Sequence, residues 1–132
     1  MRIESHLENL KESIEEIEEA IKVGLEKKQR TLGFHTSSAA IDILEIILHK
    51  YNLIDQGFVI KHEWFNSKRK IQEKIPFNFP KKEEIIGCMI KIETSRNQFC
   101  YGKRQKEDEL EKIAKEFIKL KKLFNEVAEY GL

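Results

Sequence analysis

Two stretches of this chain repeat apolar residues at alternating steps of four and three. Ile3, Leu7, Leu10, Ile14, Ile17 and Ile21 form one series, and Leu110, Ile113, Phe117, Leu120, Phe124 and Val127 form the other. Each series places one apolar stripe along a long helix, with lysines and glutamates over the remaining surface. Such a stripe must be covered, and helices of this kind cover one another in bundles. The first helix is expected to run from about Ile3, with Leu25 as a possible extension, and to fade at Lys27, Lys28, Gln29 and Arg30. The last is expected from about Lys106 to Tyr130, with Gly131 ending it.

Between them lie two further helical patterns. TSSAAIDILEIILHKYN begins with hydroxyl residues suited to a helix start, although the helix can begin a turn earlier, at Leu32. Ala39, Ala40, Ile43, Leu44, Ile47 and Leu48 form a wide apolar surface, and Ile41 and Ile46 leave little polar face. A helix of this composition is central, or it faces a second subunit. Asn52 and Asp55-Gln56-Gly57 mark a turn after it. Another helix opens after Pro80, with Ile85, Ile86, Met89, Ile92 and Phe99 as its core positions, and Gly102 suits its end. Residues 58–80 hold both prolines and the only tryptophan, and read as a long loop with one helical turn around Glu63 to Asn66. The fold class is therefore all-α, a four- to five-helix up-and-down bundle. It makes one domain over residues 1–132, with a long basic loop at about 55–81.

Overall charge limits the choice of partners. The formal net charge is +1, so no global field draws in nucleic acid or membrane, and any phosphate contact must come from a local patch. The loop supplies one: from Lys61 to Lys82 there are seven basic residues and two acidic ones, a local charge of +5. Lys68, Arg69 and Lys70 are candidate phosphate contacts there, and Trp64 and Phe65 either stack on bases or fold back onto the bundle. Cys88 and Cys100 are twelve residues apart on one expected helix, roughly 18 Å, too far for a bridge. That pattern fits a reducing cytoplasm. The N-terminus has no apolar signal core, and no membrane span is expected.

Near the end of the Pro80 helix the chain reads IETSRNQFCYGK, with Arg96 and Asn97 side by side. Arginine presents a fixed fork of donors that fits phosphate bidentately, and asparagine adds a neutral donor and acceptor. The plainer alternative is a helix-end arginine paired with a glutamate of a neighbouring helix. His6 and His62 read as surface residues, His35 as a packed or capping residue and His49 as favouring a helix C-terminus. Glu45 and His49 are four apart rather than three, so the Glu-x-x-His pairs of a two-metal bundle are missing. No metal and no cofactor is expected. There is also no phosphate-cradling glycine loop, zinc cysteine set or serine elbow.

The segment GFHTSSAAIDILEIILHKYNLI resembles the HEPN family of all-helical domains. Phe34, His35, Ala39, Ala40, Asp42, Leu44 and Leu48 carry the likeness, and Arg96-Asn97 matches the first half of the family's arginine–histidine motif. The resemblance implies a bundle of four or five helices. It also implies a homodimer in which two copies of the motif meet across a cleft, and a metal-independent ribonuclease chemistry. There the arginine holds phosphate and a histidine moves protons. It further implies a two-gene toxin–antitoxin system with a minimal nucleotidyltransferase as partner. Carried over residue by residue, Arg96, Asn97 and Tyr101 become the catalytic candidates, with His35 and Asp42 as binding or positioning residues.

Tyr101 stands where the family has its histidine. A phenol titrates near ~10 and an imidazole near ~6.5, so tyrosine is a poor general base at neutral pH. Two functions follow as expectations. One is an RNA- or nucleotide-binding protein, as it stands or as a degenerate or atypical ribonuclease. The other is a non-catalytic homodimeric interaction module in which Arg96 is structural.

Overall fold

The computed structural model describes residues 1–132 as an all-helical bundle with no strand. Five α-helices follow in order: α1 (Ile3–Val23), α2 (Gln29–Lys50), α3 (Lys68–Lys74), α4 (Lys82–Tyr101) and α5 (Glu107–Ala128). Short 3-10 turns precede α2 (Leu25–Lys28) and α3 (His62–Asn66).

Helix α2 lies at the centre and packs against α1, α4 and α5. Its apolar residues Ala39, Ala40, Ile43, Leu44, Ile46, Ile47 and Leu48 are all fully buried. The stretch Leu25–Lys50 is long and apolar enough to cross a membrane by length and composition, and 72% of its most apolar window is buried inside the bundle. One cluster of 34 buried residues, drawn from every α-helix, makes the core. The expected stripe of α4 is buried throughout, from Ile85 to Phe99, and both cysteines are buried free thiols.

Three expectations are corrected. Helix α2 begins at Gln29, before Leu32, because Gly24 breaks α1 at φ +128° and a single 3-10 turn reverses the chain at once. Residues 58–80 are not all loop: Ser67 accepts a hydrogen bond from the Lys70 amide at 3.3 Å and caps the short helix α3. Its Ile71, with Ile75 just beyond, reaches the core. Helix α5 ends before Gly131, with Glu129 in the left-handed region at φ +59°. The aromatics of this segment fold inward: Trp64, Phe65 and Phe79 are buried, and Phe58 meets Trp64 and Phe77 edge-on.

Polar side chains on α2 tie the loose ends. Buried Gln29 donates to the carbonyls of Phe99 (3.3 Å) and Lys103 (3.0 Å) and accepts from the Gln105 amide (2.6 Å). It therefore satisfies backbone groups exposed where α4 stops. Gly33 lets α2 touch α4. A Cβ at this position would lie 2.6 Å from Phe99 Cβ and 3.2 Å from Cys100 Sγ. We expect Gly33→Val to destabilise the fold by about 1–3 kcal/mol through overpacking, read as a lower midpoint in urea unfolding. An unchanged midpoint would show that α2 and α4 are not in close contact there.

Candidate functional site

Glu93, Arg96 and Asn97 are spaced i, i+3 and i+4, and so share one face of α4. Opposite them lie His62, Glu63 and Asn66 of the 3-10 turn, with Ile60 and Lys61 just before it. Together they enclose an open cleft of about 460 Å³.

The floor of the cleft is a buried carboxylate. The Glu93 side chain is 1% exposed, and such a charge is costly unless its oxygens are satisfied. Oε1 accepts from Ser37 Oγ at 2.8 Å, and Oε2 accepts from His62 Nδ1 at 2.8 Å. Ser37 Oγ also lies 3.0 Å from His62 Nδ1. Ser37 gives its only proton to Glu93, so Nδ1 must carry the hydrogen on the imidazole. The His62 side chain as a whole is 38% exposed. Both Glu93 oxygens are engaged, and Arg96 has no ion-pair partner. Its half-buried guanidinium faces the cleft unpaired. The neighbouring-glutamate alternative for Arg96 is therefore not the arrangement found.

The other candidate residues lie elsewhere. Tyr101, five residues beyond Arg96, is turned about 140° around α4. It lines a second groove with Arg30, Thr31, Phe34, His35 and Cys100. His35 accepts from or donates to Ser13 Oγ at 3.1 Å. Tyr101 and Phe34 are both exposed, at 74% and 52%. The Cys100 thiol in this second groove feels both Arg96 and Arg30, although burial, the larger effect, pushes its pKa up. Cys88 is pushed up to about 11 by burial and by Glu116, so neither thiol is a ready nucleophile. Lys68, Arg69 and Lys70 are exposed on α3, outside the cleft, and Arg69 pairs with Glu73 at 3.2 Å.

Asp42 does not reach Arg96. Its carboxylate sits 2.7 Å from His6 Nδ1, and Glu45 sits 3.1 Å from His6 Nε2. His6 is thus buried between two carboxylates of α2, not a surface residue. Glu45 also accepts from the Ile60 amide at 3.4 Å, which anchors the chain entering the cleft. Sequence reasoning missed His62 and Glu93 as site residues. Glu93 had a signal, since it shares a helix face with Arg96-Asn97. His62 had none, because its place depends on how the loop folds. No family model matches the chain, and no curated protein or solved structure matches it.

Burial raises the pKa of Asp42 and of Glu45, against the opposing pull of His6. The folded state then holds protons that the unfolded chain has lost above pH ~4, so this contribution to stability declines as pH rises through the folded values. We expect Asp42→Asn to gain stability relative to the native chain as pH rises from 4.5 towards 7, measured by urea unfolding at each pH. A difference that stays flat or runs the other way would contradict the raised Asp42 value.

Proposed function

We propose that the chain is an RNA- or nucleotide-binding domain of HEPN-like type, and that the cleft beside α4 is its phosphate site. The observation that carries this reading is the unpaired Arg96 guanidinium in an open cleft, next to the Asn97 amide. A guanidinium left without a carboxylate, with the buried Glu93 already satisfied and Glu63 at the cleft making no ion pair with it, favours an external anion. Lys61 adds positive charge at the rim, and the exposed lysines of α3 extend the basic surface. A two-gene setting with a minimal nucleotidyltransferase, and a ribonuclease ancestry, rest on the family resemblance alone.

Arg96→Ala is expected to weaken binding of a short single-stranded RNA by about 10–100-fold, since hydrogen bonds to charged groups contribute roughly 1.5–3 kcal/mol. Replacing Lys68 and Lys70 by alanine should cost less and mainly flatten the salt dependence. Fluorescence anisotropy at two salt concentrations measures both. Equal affinity of Arg96→Ala and native protein would sink the assignment.

The second reading, a homodimeric interaction module, draws on the adjacent exposed rings of Phe34 and Tyr101. Large exposed aromatics grouped with an arginine are what interface centres use. If this groove joins two copies, Phe34→Ser with Tyr101→Ser should convert a dimer into a monomer in analytical ultracentrifugation. A native chain that sediments as a monomer would remove this reading.

A further inference from the structure

We propose that the groove between α3 and α4 is a docking site for another protein, and that it takes an acidic amphipathic helix. The groove lies apart from the cleft, and the inference does not rest on the phosphate reading of Arg96.

The groove encloses about 590 Å³, against about 460 Å³ for the cleft. One wall is a face of α4, where Glu83, Ile86, Gly87 and Ile90 stand at i, i+3, i+4 and i+7. That face is ~10 Å long, the length of two helical turns. The opposite wall is apolar as well, with Ile71 of α3 and Ile75 just beyond it.

Gly87 is a residue that the fold itself does not require. It sits inside α4, where glycine weakens a helix relative to alanine. Gly33, inside α2, is explained by packing, because a Cβ there would strike Phe99 at 2.6 Å. At Gly87 a Cβ would meet nothing within 4 Å, and φ is not positive. Neither internal contact nor backbone conformation calls for it. The missing side chain leaves a saddle beside Ile86 and Ile90, into which a second backbone can come close.

Charge selects the occupant. Lys68 and Lys82 stand in the lining against one acid, Glu83, and α3 carries four basic residues and one acidic. Lys82 is held in place: it donates to the carbonyls of Ile75 at 2.9 Å and Phe77 at 2.5 Å, which leaves one ammonium proton for a carboxylate. An aliphatic floor between cations fits a helix with apolar anchors one turn apart and acids beside them. No aromatic ring lines the groove, so it lacks the stacking surface that a nucleic-acid strand uses. A recessed floor is also not a face that inserts into a lipid surface.

The probe is a fluorescein-labelled synthetic helix with leucines at i, i+3 and i+7, alanine at i+4 and glutamates elsewhere, titrated with the full chain and read by anisotropy. Saturable binding is expected. Gly87→Leu should weaken it at least ~10-fold by filling the saddle, without lowering the urea midpoint. Lys68→Glu, an exposed change, should weaken it about 3–10-fold and reduce its salt dependence. No saturable binding, equal affinity for Gly87→Leu and native protein, or a lowered midpoint for Gly87→Leu overturns the proposal. Equal binding of the same peptide with lysines for glutamates overturns the acidic partner. Binding of single-stranded RNA or phosphatidylglycerol vesicles that Gly87→Leu weakens, or self-association that it abolishes, gives the groove another occupant and overturns it too. Arg96→Ala should leave peptide binding unchanged, so this proposal and the phosphate site fail separately.

Discussion

A helix with almost no polar face must be surrounded, and the architecture follows from surrounding α2. Three long helices are needed to cover it, and α1, α4 and α5 supply the stripes that do so. The remaining side is closed by the segment after α2, whose Phe65, Ile71, Ile75 and Phe79 join the same core. The close contact at Gly33 then brings the end of α4, with its arginine and asparagine, against the start of α2.

Burying most of α2 leaves several of its polar residues dependent on partners inside the bundle. Gln29 closes the α4 terminus, Asp42 and Glu45 hold His6, and Ser37 holds Glu93. The two carboxylate–histidine sets differ in a way that matters. His6 is enclosed, with both ring nitrogens facing carboxylates, and joins α1 to α2. His62 engages its carboxylate through one nitrogen, and its side chain stays 38% exposed. The first arrangement suits structure and the second leaves chemistry open.

The residues singled out by the family likeness are divided between two grooves. Arg96 and Asn97 lie in a cleft, side by side on one helix face. Tyr101, which takes the histidine position by linear spacing, lies around the helix in another groove. An imidazole does stand beside the arginine, but it arrives from a loop between α2 and α3.

Periodicity alone determined that the chain is helical and most of the residues of α1, α4 and α5 that face inward, Ile21 being the exception at 44% exposed, and it left α2 either central or set against a second subunit. Those are local consequences of a 3.6-residue repeat and of burying apolar area. The face shared by Glu93, Arg96 and Asn97 was equally legible, because it needs only helical spacing. Only the tertiary structure decided the rest. The short helix α3 rests on a Ser67 cap and on Ile71 and Ile75 meeting the core, signals too brief for periodicity. That His6 is buried and that His62 meets Glu93 depend on contacts across 36 and 31 residues, made by folding α1 and the loop onto α2 and α4. A histidine's role is set by which carboxylate it meets and how much of its ring stays wet, and neither is written in its neighbours along the chain.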